Sequence, residues 1–136
     1  MPTDFEAIQN LLARYCFVTD TGTARDIAAC FWDDCTVDFN GNINQGIEAA
    51  TRGFARWIEK SRDPVVGLRH LLHPPLIEIE GPRATALSYY DADCHTPKGR
   101  PIQLRGLYRD VLEKRDGEWR LLERKVEIWR SLLDQG

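Results

Sequence analysis

LIEIEGPRATALSYYDADCHTPKGRPIQLRGLYRDVLEKRDGEWRLLERKVEIW, residues 76–129, decides the fold. The runs Leu76 to Ile79, Ala84 to Tyr90, Leu104 to Leu112 and Trp119 to Trp129 are rich in apolar, β-branched and aromatic residues. Two tight reversals separate them, Glu80-Gly81-Pro82-Arg83 and Arg115-Asp116-Gly117-Glu118. Gly-Pro and Asp-Gly pairs supply the special φ values that such turns need. A sheet this long must bury one face. The helical material that can cover it lies in the first sixty residues.

Working outward, Asp4 to Thr19 reads as the clearest helix. Phe5, Ile8, Leu11, Leu12, Tyr15 and either Cys16 or Val18 recur at the three-and-four spacing of one buried face. Thr3 or Asp4 can cap it, with Glu6 in the first turn. A shorter helix is expected over Ala24 to Phe31, then a short strand over Cys35 to Phe39 stopped by Asn40-Gly41-Asn42. A third helix is expected from Ile47 to Lys60, presenting Ile47, Ala50, Phe54, Trp57 and Ile58 and broken by Asp63-Pro64. Val65 to Leu72 reads as extended. His73-Pro74-Pro75 reads as a bulge or bend, because proline cannot donate in a central ladder. The order is helix, helix, strand, helix, then strands: an α+β fold with helices on one face of a curved, mostly antiparallel sheet, enclosing a pocket.

The chain has 136 residues, enough for one domain with one core. Hydrophobic content of 43% and charged content of 29% fit an ordinary globular chain and not a disordered one. A net charge of −3 with interleaved signs argues against a nucleic-acid surface. Arg120, Arg124, Lys125 and Arg130 alternate with Glu118, Glu123 and Glu127, as on a solvated strand face. No run of about 18 apolar residues offers a transmembrane helix, and Met1-Pro2-Thr3-Asp4 opens no signal segment. Cys16, Cys30, Cys35 and Cys94 fit no zinc spacing. Buried free thiols and a cytoplasmic location are the expectation.

Chemistry points first to histidine. His70 lies on the strand after the third helix, and His95 ends the strand that begins at Arg83. His70 and His73 point to opposite faces of a strand, so no metal site is expected. Asp20 sits at the C-terminal end of the first helix, where the macrodipole disfavours a carboxylate. An Asp bonded to one imidazole nitrogen fixes the tautomer and frees the other nitrogen to take a proton. Tyr15 could donate to a developing oxyanion. Plainer alternatives stand beside each: Asp20 as a turn residue, His70 as a half-buried strand histidine, His95 as a loop-edge residue, Tyr15 as a core aromatic. Nucleotide loops and a serine nucleophile elbow are absent.

The ordered set Ile8-x-x-Leu11 to Asp20, Phe31-x-x-Asp34 with Val37-Asp38, Gly46-Ile47, Arg69-His70, Ile77 to Gly81, and Gly106-x-Tyr108-x-Asp110 through Asp116-Gly117-x-Trp119-Arg120 to Arg124 resembles the SnoaL-like branch of the nuclear-transport-factor-2-like superfamily. The resemblance implies a cone-shaped α+β barrel over residues 1–136. Lyases of this group, of the scytalone dehydratase and bile-acid dehydratase types, pair an Asp at the end of the first helix with a His after the third, which implies Asp20 and His70. It also implies Tyr15, five residues before the Asp, and His95 as hydrogen-bond donors. The tyrosines that hold water in scytalone dehydratases fall on Thr19 and Phe39, so that particular dehydration is not expected.

The resulting expectation is a cofactor-independent lyase or isomerase acting on a small, apolar, cyclic substrate. Phe31, Phe39, Phe54, Trp57, Leu68, Tyr90 and Tyr108 would line its pocket. The alternative is a non-catalytic protein of the same fold that binds a hydrophobic ligand or assembles with partners. A homodimer or homotrimer is expected in either case, with the strand ending Val126-Glu127-Ile128-Trp129 as an interface and no nucleic-acid or membrane partner.

Overall fold

The computed structural model describes residues 1–129. Helix α1 runs Asp4–Thr21. Thr3 and Glu6 cap its start reciprocally, each side chain satisfying the other's backbone N–H. Ile8, Leu11, Leu12, Tyr15, Cys16 and Thr19 form its buried stripe. Phe5, expected on that stripe, is 43% exposed at the helix start. The C-terminus of α1 lacks a basic residue of its own. Arg62 supplies the charge from a distance, its Nη1 donating to the carbonyls of Thr19 at 3.1 Å and Gly22 at 2.7 Å.

Helix α2 is short, Ala24–Ala28, and Thr23 with Asp26 repeats the capping box. The expected extension to Phe31 does not form. Leu121 N–H bonds to the Cys30 carbonyl at 2.9 Å, so the sheet takes the chain from there. Strand β1 spans Phe31–Phe39, longer than the periodicity indicated, and turns back through Asn40 and Gly41, both at positive φ, into β2, Asn42–Gln45. Asn-Gly at those two positions is a hairpin turn and not a simple stop. Helix α3, Ile47–Trp57, buries Ala50 and Phe54 and ends in a π-helical turn, Ile58–Arg62.

Strands β3 (Val66–Leu72), β4 (Leu76–Glu80), β5 (Arg83–His95), β6 (Pro101–Arg115) and β7 (Glu118–Trp129) follow. The seven described strands form one sheet in the order β2-β1-β7-β6-β5-β3, with β4 also on β5. The β1–β7 pair is parallel and all others are antiparallel. Strand β7 therefore lies between β1 and β6, and Val126 is buried against the core. Of the four residues expected to form an interface, Glu127 and Trp129 have side chains that alternate away from that core.

Strand β5 alternates cleanly, with Ala84, Ala86, Ser88, Tyr90 and Ala92 facing inward. Strand β7 does not. Leu112 pairs with Leu121, but Val111 pairs with Glu123, leaving Leu122 unpaired in a bulge. The inward set changes there from Trp119 and Leu121 to Arg124 and Val126. Arg124, read from sequence as solvated, is consequently buried. Arg130 of the same charged run lies outside the described residues. Cys16, Cys30 and Cys35 are buried free thiols, as expected, whereas Cys94 is only partly buried. No helix among the described residues is long and apolar enough to cross a membrane.

Candidate active site

The concave face of the sheet, α1 and α3 enclose a cavity of about 400 Å³. Tyr15 and Thr19 reach it from α1, Phe54 and Trp57 from α3, and Leu68 and His70 from β3. Phe39, Tyr90, Tyr108, Val126 and Ile128 supply much of the remaining wall.

Asp20 and His70 meet. Asp20 Oδ1 lies 2.6 Å from His70 Nδ1. Both carboxylate oxygens also accept the His70 backbone N–H, at 3.1 and 3.0 Å. One carboxylate thus fixes the strand and the ring together. The two side chains keep only 11% and 9% of their surface exposed. Asp20 accepting from Nδ1–H leaves Nε2 as the open nitrogen, and His70 is a lining residue of the cavity whereas Asp20 is not. Trp57 and Tyr90 flank the imidazole, with ring centroids at 6.3 and 5.9 Å.

A second buried group forms the floor. Tyr90 stacks on Tyr108 at 4.3 Å and 12°. Arg124 lies against the faces of Tyr108 and Tyr15, 4.0 and 4.2 Å from the centroids. Asp110 receives both Nε and Nη2 of Arg124, at 2.7 and 2.8 Å, with neither side chain exposed. Burial opposes the charge of Arg124, but attraction to Asp110 holds its pKa above the usual arginine value. Burial pushes the Asp110 carboxyl up, against the pull of the guanidinium. Burial likewise raises the phenols of Tyr15, Tyr90 and Tyr108, while Arg124 draws each of them back. They remain neutral donors near pH 7. Arg124 Nη1, Thr19 Oγ1 and Ser88 Oγ are buried atoms without a hydrogen-bond partner among the described residues.

Two expected residues fall elsewhere. His95 is exposed and does not line the cavity; its Nδ1 lies 2.9 Å from the Thr96 carbonyl oxygen. Strand alternation sends Cys94 inward and His95 outward. Phe31 packs behind the wall, against Phe54 at 5.4 Å and Tyr15 at 6.0 Å, and does not reach the cavity. His73 points away from His70 and pairs with Asp91 at 3.0 Å. Among the described residues no cluster of His, Cys, Asp or Glu is placed to hold a metal ion. Burial pushes the thiols of Cys16 and Cys35 up to about 11, which leaves them protonated at neutral pH.

Asp110 and Arg124 escaped the sequence reading as a site pair. They lie on either side of the Asp116-Gly117 turn, and the bulge at Leu122 upsets any count of faces. Their signal was present in the motif Tyr108-x-Asp110 that carries the family likeness.

Residues 3–125 match the model of the SnoaL-like domain, and the chain belongs to that family, within the nuclear-transport-factor-2-like superfamily. Its structure is similar to that of Rv3472, a function-unknown protein from Mycobacterium tuberculosis, with a TM-score of 0.82 and 31% identity over 96% of this chain and 75% of that one. A candidate scytalone dehydratase from Novosphingobium aromaticivorans matches with a TM-score of 0.81 and 24% identity, over 94% of this chain and 85% of that one. LinA matches with a TM-score of 0.77 and 19% identity, over 92% and 85%. The last two likenesses speak to fold alone. No curated protein matches the sequence.

Proposed function

We propose that this protein is a cofactor-independent lyase or isomerase for a small, apolar, cyclic substrate. The observation that carries the reading is the 2.6 Å contact between Asp20 and His70 Nδ1, with the imidazole on the wall of an aromatic-lined cavity. His70 Nε2 acts as general base and takes a proton from a carbon next to a carbonyl. The C–H electron pair moves into the adjacent bond and charge develops on the carbonyl oxygen. Tyr15 donates to that oxygen. In isomerisation the imidazolium returns the proton to a second carbon. In elimination a leaving group departs with its bonding pair and accepts the proton. Asp20 holds the tautomer and balances the imidazolium charge. General base catalysis of this kind contributes about 10²–10⁴ in rate. Positioning and exclusion of water between Phe54, Trp57, Leu68 and Tyr90 would supply the remainder.

The test is deuterium exchange from D₂O into cyclic ketones. Exchange by the wild-type protein, reduced about 10²–10⁴-fold in His70→Ala, is the expected result. A His70→Ala variant that exchanges as fast as wild type would sink the assignment. It would leave the cavity as a ligand-binding site.

The same reading includes self-association through the convex sheet face. Tyr89 and Trp129 are 60% and 43% exposed there and meet edge-on at 6.0 Å. Light scattering should show a dimer or trimer at micromolar concentration, and a monomer would count against this interface.

A further inference from the structure

The wall of the cavity is mostly apolar, but its mouth is not. Arg56 on α3 and Lys60 in the π-helical turn both line the cavity and are exposed, which places them at its opening. Asn42 and Asn44 of β2 and Ser61 complete the polar part of the rim. No Asp or Glu among the described residues lines the cavity. Among the described residues, no carboxylate comes within ion-pair distance of Arg56 or Lys60. Elsewhere on the surface Arg69, Arg83, Arg109, Arg115 and Arg120 each hold an acidic partner, whereas exposed Arg14, Arg25, Arg52, Lys98, Arg105 and Lys125 form no ion pair among the described residues. What sets Arg56 and Lys60 apart is their place on the cavity lining. The chain as a whole is acidic, at −3. Two cations without a carboxylate partner among the described residues thus sit together where a ligand enters, against the sign of the whole molecule.

Resting on the site assignment above, we propose that the ligand is amphiphilic: an apolar ring body that fills the cavity to His70, and a carboxylate-type anion that stays at the mouth on Arg56 and Lys60. The arrangement suits that division. The inner wall offers rings and aliphatic groups, and an anion placed among them would lose water without a free cation to replace it, since Arg124 is already held by Asp110. At the mouth the anion keeps part of its hydration and gains two positive neighbours. Asn44 packs against α3 beside Gly53, so its amide lies on the same side of the opening as the cationic segment. The anion fixes which end of the ring system faces His70, and orientation of that kind selects the carbon that loses its proton.

The test uses two fluorescent probes with the same ring frame, anilinonaphthalene sulfonate and its uncharged parent phenylnaphthylamine. Perturbation of the His70 ring signals in NMR reports that a probe sits in the cavity. The sulfonate should bind about tenfold more tightly than the parent, as two exposed charge contacts allow. Added salt should shrink the difference. In Arg56→Gln/Lys60→Gln the preference should vanish while the uncharged probe binds as before. Equal binding of the two probes to wild type would overturn the proposal, as would a preference that survives in the double variant or a sulfonate that leaves the His70 signals unmoved. Deuterium exchange lost in His70→Ala would stand in each of those cases, so a failure here is distinguishable from failure of the catalytic assignment.

Discussion

At the scale of residues, the account turns on where charge is buried and what holds it. Asp20 ends a helix whose dipole works against it, yet Arg62 bonds to the carbonyls of that same end. The carboxylate is then free to serve His70. An acid at a helix C-terminus is out of keeping with local electrostatics, but that alone left Asp20 equally readable as a turn residue; its pairing with His70 was legible through the family resemblance. Arg124 was not legible, because its burial depends on one unpaired residue, Leu122. Arg124 and Asp110 form a fully buried pair, and removing one member strands the other. Arg124→Met should cost about 3–5 kcal/mol in urea unfolding. Asp110→Leu combined with Arg124→Met should recover much of that loss, since an apolar pair leaves no buried charge. A single variant as stable as wild type would show that the pair carries no such constraint.

At the scale of elements, the long strands and the first helix could be read from period and turn chemistry alone. The segments that could not were short. Helix α2 stops at Ala28 because a sheet hydrogen bond captures Cys30, and β2 forms because Asn40 and Gly41 accept positive φ. His95 shows the same limit: a one-residue difference along β5 decides which face a side chain joins. The docking of α1 onto the sheet is testable. Asp4 Oδ1 accepts from Trp119 Nε1 and from Lys114 Nζ, both at 2.9 Å. The Trp119 bond, then Lys114, holds the Asp4 carboxyl below its ordinary 3.8. A depressed folded-state pKa contributes stability above the unfolded value, and that contribution is lost as pH falls through the folded one. Asp4→Asn should therefore be less stable than wild type at pH near 7, with the gap closing below about 3.8. Urea midpoints at both pH values check this. A gap that persists undiminished in acid would assign the effect to packing and not to charge.

At the scale of the whole molecule, α1 and α3 close the concave face of one continuous sheet, and everything placed for chemistry lies between them. Of the seven residues expected to line the pocket, Phe39, Phe54, Trp57, Leu68, Tyr90 and Tyr108 do so. Phe31 sits one layer behind, because periodicity assigns a residue to a core without saying how deep it lies. The polar mouth stayed hidden for a related reason: Arg56 and Lys60 look like any solvated helix face until the curvature of the sheet places an opening beside them. The central claim is that this enclosure presents His70 to a ligand with Asp20 behind it and Nε2 free in front. Nitrogen-resolved NMR of the His70 ring, at a pH where the ring is neutral, tests that claim most directly. The account predicts a proton on Nδ1 and none on Nε2 in wild type, with the Nε2–H tautomer returning in Asp20→Ala. An Nε2–H tautomer in the wild-type protein, unchanged by that substitution, would contradict it.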